Sequence, residues 1–168
     1  MLSLVLLLLA SDPAPVHVKP RLTTQQVAVD PDDPAIWVHP TDPRRSLILG
    51  TDKGGALYVF DLDGKVKQVV EGIDRPNNVD VEVGFKTPNG PLDIAVLTER
   101  GKERLRVFAI DPKSGDLKDI TGETRVFADA KGDEAAPMGI GLYRRPKDGE
   151  VFAIVSRKAG PSGSDLGQ

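Results

Sequence analysis

The sequence predicts an all-β protein of the β-propeller class, on three observations. Short apolar runs alternate with turns rich in Gly, Pro and Asp, and the 168 residues hold 17 Gly and 14 Pro. Such punctuation favours many short strands over long helices. Helical periodicity is almost absent, with one turn expected at Glu134 to Ala136. Finally, a unit of four strands recurs, and a fixed corner recurs with it. The corner reads Leu47-Ile48-Leu49-Gly50-Thr51-Asp52-Lys53-Gly54, then Ile94-Ala95-Val96-Leu97-Thr98-Glu99-Arg100-Gly101, then Phe152-Ala153-Ile154-Val155-Ser156-Arg157-Lys158 with Gly160 close behind. Lys53, Arg100 and Lys158 thus hold one repeat position, 47 and 58 residues apart. One such unit cannot bury both faces alone, so units stack around an axis as blades. An up-and-down barrel or a sandwich would also show short strands, but neither explains a cation at one fixed point of each unit. Propellers carry about four to eight blades. This chain holds two and a half to three, so it is expected to be the N-terminal part of a longer protein.

Residues 2–10 are an apolar run of nine, too short to cross a bilayer, which takes roughly 20 residues. The run fits the apolar core of a secretory signal peptide spanning residues 1–14, with cleavage near Ala10 to Ala14, although no positive charge precedes it. The other reading is a buried first strand or helix. Export to the periplasm or the exterior is therefore expected, with residues 15–168 forming the truncated propeller domain. Val16 to Val29 has weak strand character. Two prolines beside Asp32 and Asp33 forbid helix, and a strand is expected over Ala35 to His39. Further strands are expected at Leu47–Gly50, Ala56–Asp61 and Val66–Val70, with an Asp-Gly hairpin turn at Asp63-Gly64. The second round reads Asn77–Val83, Asp93–Thr98, Leu105–Ile110 and Leu117–Thr121, and the third Met138–Tyr143 and Val151–Ser156.

Composition narrows the function. Net charge is −3, so the chain as a whole attracts neither nucleic acid nor an anionic membrane. The absence of Cys excludes disulfides, thiolate catalysis and Cys-based metal centres. His17 and His39 stand in unrelated contexts, and neither a His-Glu-x-x-His nor a Gly-x-Ser-x-Gly pattern occurs.

Corresponding positions of successive blades lie at similar radius and height. Lys53, Arg100 and Lys158 are therefore placed to converge on one anion, Arg as a fork and Lys as a point charge. Thr51, Thr98 or Ser156 could add a hydroxyl donor, and Gly54, Gly101 and Gly160 would allow a sharp turn and close approach of a ligand. The alternative is a set of solvated turn cations. Asp32 and Asp33 offer hard oxygen ligands for Ca2+ or, equally, turn formers, and Asn77 and Asn78 have the same two readings. Asp52 and Glu99, next to the cations, could be salt-bridge partners of little energetic weight. Trp37, the only tryptophan, is expected in the core.

Asp32-Asp33-Pro34-Ala35-Ile36-Trp37-Val38-His39-Pro40 and Arg75-Pro76-Asn77-Asn78-Val79-Asp80-Val81, followed by Gly84-Phe85, resemble the signatures of the β-propeller phytases. Thr51-Asp52-Lys53, Thr98-Glu99-Arg100, Gly139-x-x-Leu142-Tyr143 and Lys158 fit the same order, so the resemblance covers residues 28–160. It implies a six-bladed propeller that hydrolyses phosphomonoesters of myo-inositol hexakisphosphate (phytate) with Ca2+. It places phosphate binding on Lys53, Arg100 and Lys158, and a calcium site on Asp33 with a main-chain carbonyl near Val79. Metal-activated water is the nucleophile, so no catalytic residue is expected within this chain, and the acidic residues that hold the catalytic ions belong to later blades. The full-length protein is expected to be a monomer, and the piece alone inactive. Met138 stands where the family has a phosphate-contacting tyrosine, and a single Lys53 where it often has two lysines. Two other functions compete: a non-catalytic propeller that binds a phosphorylated or anionic ligand, and a propeller lactonase. The lactonase needs an acidic metal ring but no row of cations.

Overall fold

A computed structural model describes residues 18–160. The expected signal peptide lies outside the described residues. Ten strands fall into three antiparallel sheets. Blade 1 is β1 (Pro31–Trp37), β2 (Leu47–Asp52), β3 (Ala56–Phe60) and β4 (Val66–Glu71), in that spatial order. Blade 2 repeats the meander with β5 (Pro76–Thr87), β6 (Gly90–Glu99), β7 (Arg104–Ile110) and β8 (Leu117–Asp119). Blade 3 contributes β9 (Pro137–Arg144) and β10 (Val151–Arg157). Among the described residues helix is limited to single 3-10 turns, at Pro43–Arg45, Arg100–Lys102 and Gly132–Glu134. The last lies two residues before the turn expected at Glu134 to Ala136.

The meander pattern is the propeller blade, and each inner strand opens on a proline: Pro31, Pro76 and Pro137. A proline lacks the N–H that a central strand must donate, so it is confined to an edge or to a strand's first residue. Each inner strand has only one sheet neighbour, which satisfies that rule. This is why β1 starts four residues before the expected Ala35. Asp32 and Asp33 are strand residues rather than turn formers, and the register slips between Pro31 and Pro34 to admit both prolines. Val38 and His39, expected in the strand, lie beyond its end.

Blades 1 and 2 share one core. Ala35, Trp37, Leu47, Leu49, Leu57 and Val59 of blade 1 pack with Val79, Ala95, Leu97, Phe108 and Ile110 of blade 2. The Val, Leu, Ile and Phe side chains among them contribute roughly 1.5–3 kcal/mol each when fully buried. Trp37 is fully buried, as expected, and its indole N–H donates to Asp93 at 2.8 Å. His39 closes the lower seam: its Nδ1 accepts the N–H groups of Thr41 and Asp42, so Nε2 donates to the Pro112 carbonyl at 2.8 Å. Blade 3 is tied to blade 2 by polar contacts. Asp80 accepts the Leu142 N–H at 2.7 Å, and Arg144 pairs with Glu82 at 2.7 Å. Phe152 and Ile154 on β10 remain exposed.

Candidate functional site

The site grows from one backbone device used in all three blades. The N–H of the corner cation donates to the carbonyl of the residue just before the blade's opening proline. Lys53 donates to Asp30 at 3.0 Å, Arg100 to Arg75 at 3.2 Å and Lys158 to Ala136 at 2.9 Å. Lys53, Arg100 and Lys158 are therefore structurally equivalent, as the repeat in the sequence implied. A second device sits one step inward. The corner hydroxyl accepts the N–H of the third residue of the inner strand: Thr51 from Asp33 at 3.1 Å, Thr98 from Asn78 at 3.1 Å and Ser156 from Gly139 at 2.9 Å. These hydroxyls clamp the inner strand to its neighbour. Thr98 also donates to the Met138 carbonyl at 2.7 Å, so it joins blade 2 to blade 3. The expectation that they serve as free donors to a ligand is thus corrected.

Asp52 and Glu99 are likewise not surface partners. Both are 1% exposed. Asp52 accepts N–H groups from Asp30 at 2.8 Å, Gly54 at 2.9 Å and Val29 at 3.1 Å. Burial alone pushes its carboxyl up, but these backbone donors outweigh it and leave the group below the usual carboxylate value. Glu99 accepts the Asp74 N–H at 2.8 Å and the Arg104 guanidinium at 2.5 Å. Each acid fastens the incoming chain to the corner. The glycines beside them serve the same approach: a Cβ at Gly54 would lie 2.5 Å from Val29, and one at Gly101 2.2 Å from Asp74. The close neighbour is the protein's own chain and not a ligand.

What remains free to act on solvent is the row of cations. Lys53 donates to Asp32 at 2.7 Å and lies 3.9 Å from Asp30. The bond to Asp32 holds the ammonium above the usual lysine value, against desolvation and the repulsion of Arg100. Arg100 donates to the Asn77 carbonyl oxygen at 3.1 Å. Asp32 and Asn77 occupy the same place in their blades, immediately after the opening proline. In blade 3 that place is Met138, and Lys158 turns instead to Asp133 at 2.7 Å. The hydrogen bond from Lys158 pulls the Asp133 carboxyl down, and the charges of Arg100 and Arg75 add to it. Arg100 thus acts electrically on both Lys53 and the partner of Lys158.

Asp33 and Val79 also meet, through an N–H donated by Val79 to the Asp33 carboxylate at 3.0 Å. Among the described residues there is no group of three or more acidic or imidazole ligands. Calcium takes about six to eight oxygens. Asp32 and Asp33 alone offer fewer oxygens than that. Sequence reasoning missed Arg75 and Asp133. Arg75 carries the left-handed turn (φ 55°) that delivers its carbonyl to Arg100. The signal for it was the proline that follows at 76, matching Pro31 and Pro137.

A family model described as phytase matches residues 5–163. The chain belongs to the phytase family. A curated 3-phytase of Bacillus subtilis (strain 168) is 37% identical over 131 residues, covering 77% of this chain. The chain spans about 33% of the length of that relative.

Proposed function

We propose that this chain is the cationic, phosphate-holding part of a secreted, calcium-dependent phytase that works as a six-bladed monomer on myo-inositol hexakisphosphate. The observation that carries this reading is the equivalence of Lys53, Arg100 and Lys158, each fixed by the same main-chain hydrogen bond at the corner of its blade. A dense polyanion suits such a row. Arg100 presents its guanidinium fork, held by Asn77, to two oxygens of one phosphate. Lys53 and Lys158 leave Asp32 and Asp133 to neutralise that phosphate or its neighbour. Asp32, released from Lys53, and Asp33 then face a cation at the edge of the site, with the Val79 carbonyl beside them. Calcium, when bound, polarises phosphoryl oxygens and lowers the pKa of bound water. No nucleophilic side chain is required of this chain.

The full-length protein is expected to release phosphate from phytate only with millimolar Ca2+, and the isolated chain to be inactive. Arg100→Ala should lower kcat/KM for phytate by about 100-fold, the scale of one lost charge-assisted contact to a transition state. Lys113→Ala, in an exposed turn of blade 2, should leave it unchanged. Equal effects of the two substitutions would remove the case for the row of cations. A second reading is a non-catalytic module for an anionic ligand, and Met138 at the place of Asp32 and Asn77 favours it. Phytate binding without phosphate release in the full-length protein would select that reading.

A further inference from the structure

Arg75 adopts a backbone conformation that its residue type resists. Its φ is 55°, in the left-handed region that a Cβ disfavours and where glycine or asparagine is the relaxed choice. It also precedes Pro76, and a proline draws the residue before it towards extended backbone. The residues at the same place in the other blades, Asp30 before Pro31 and Ala136 before Pro137, do not have a positive φ. Nor does the turn itself call for an arginine. Its fastenings are made by main-chain atoms or by another side chain. The Arg75 carbonyl accepts the Arg100 N–H at 3.2 Å, the Asp74 carbonyl accepts the Gly101 N–H at 3.0 Å, and Glu99 accepts the Asp74 N–H at 2.8 Å. A glycine at 75 would make the same bonds without the strain.

The side chain that the strain carries is exposed, and it makes no hydrogen bond or ion pair among the described residues. The acids around it are committed elsewhere. Asp74 lies 3.9 Å from Lys102, and Asp133 accepts Lys158 at 2.7 Å. The charges of Arg75 and Arg100 both act on Asp133. Arg100 itself is held by a neutral group, the Asn77 side-chain oxygen. Among the described residues neither guanidinium is therefore paired with a carboxylate, although their residues are joined by a main-chain bond. Blades 1 and 3 have no such pair, since Asp30 and Ala136 stand where Arg75 does. Two adjacent arginines without an acid repel each other until an anion arrives, and an arginine fork suits phosphate oxygens. Backbone strain of this kind clusters at ligand sites, where the surroundings enforce it.

We propose that Arg75 is a further substrate-binding residue, which adds a second guanidinium to that of Arg100 for the phosphates of phytate. The strained turn is kept because it brings that side chain to the corner of blade 2. This rests on the phosphate reading of the cation row, and adds to it a residue that the repeat does not contain. The test is Arg75→Gly in the full-length protein with Ca2+. Glycine keeps the main-chain bonds of the turn and suits its φ, so the thermal midpoint should not fall. KM for phytate should rise about tenfold with kcat unchanged, the pattern of a lost contact made equally to substrate and transition state. Arg75→Lys keeps the charge and should bring KM back to within about threefold of the native value. An unchanged KM in Arg75→Gly would overturn the proposal and leave the arginine as a former of the turn alone. A raised KM that comes with a lowered midpoint and is not recovered by Arg75→Lys would overturn it too, by making the side chain part of the fold. Native turnover in Arg100→Ala would remove the cation row and this proposal together, whereas failure at Arg75 alone leaves the row intact.

Discussion

The corners of blades 1 and 2 and the corner of blade 3 share a backbone path but differ in what fastens it. In the first two, a buried acid follows the hydroxyl: Asp52 after Thr51 and Glu99 after Thr98. Each acid draws in the chain that arrives from the preceding blade, and a glycine two residues on leaves room for it. In blade 3 the acid's place is Arg157 and the glycine's place is Ala159. Arg157 points outward, over the Phe127 ring at 4.6 Å and 3.5 Å from Asp129. Ala159 donates its N–H to Asp133, whereas Gly101 donates to Asp74, directly before Arg75. The incoming chain is held by different partners in blade 3. The cation itself stays in place in all three blades, because its own N–H bond does not depend on the acid. Placement of the cation and fastening of the corner are thus separate devices.

The largest effect is expected where the fastening is tightest. Asp52→Ala in the full-length protein leaves three backbone N–H groups without their acceptor, at about 1–3 kcal/mol for each buried group that water cannot reach. A loss of about 3 kcal/mol in urea unfolding is expected, against less than about 1 kcal/mol for Arg157→Ala, whose ion partner is exposed. Similar losses would mean that the acid is not what distinguishes the corners. The pH dependence follows from the same group. The folded Asp52 carboxyl titrates below its unfolded value of about 3.9. Its stabilisation is therefore fully present above about pH 4 and is lost as pH falls through the folded value. The gap between the native protein and Asp52→Asn should be widest near neutrality and close below about pH 4. A gap that is constant across that range would contradict the assignment.

The next effect down concerns the glycines. A Cβ at Gly54 meets Val29 at its Cβ, 2.6 Å away, so the backbone must move. At Gly101 the obstacle is the Asp74 carboxylate, a half-exposed group that can swing aside. Gly54→Ala should therefore cost about 2 kcal/mol, within the range for overpacking, and Gly101→Ala less than half as much. Thermal unfolding of the two variants of the full-length protein gives the comparison. If Gly101→Ala costs as much as Gly54→Ala, the carboxylate is held more firmly than its exposure implies.

These particulars also explain what the sequence made legible. The repeat of Lys53, Arg100 and Lys158 could be read because a blade is built from local strands and turns whose residue types return with it. The fold class followed from the same regularity. The roles of Thr51, Asp52 and Glu99 could not be read, because their partners lie 18 to 25 residues away on another strand or on the incoming chain. From sequence alone, a hydroxyl and an acid beside a cation look like ligand donors. In the folded protein the inner strand and the incoming chain claim them first. The start of β1 at Pro31 was not legible because the prolines exclude helix without marking a strand, and only an inner edge admits them. The prolines at 31, 76 and 137 were the stronger repeat, and they mark every residue whose carbonyl receives a corner cation.

The smallest effect separates the corner hydroxyls. Thr51 and Ser156 each serve their own blade, whereas Thr98 also donates across the seam to Met138. A neutral hydrogen bond contributes about 0.5–1.5 kcal/mol net. Thr98→Val keeps the shape of the side chain and removes both bonds, so about 1.5 kcal/mol is expected. Ser156→Ala removes one partly solvated bond and should cost about 0.5 kcal/mol. The two variants differ in kind as well as in size. Loss of the seam bond at Thr98 should speed amide exchange in β9, across the boundary, while Ser156→Ala should act only within blade 3. Exchange in β9 that responds equally to both substitutions would show that blade 3 is held to blade 2 by Asp80 and Arg144 alone. The hydroxyl repeat would then be a device of single blades, like the cation's own N–H bond.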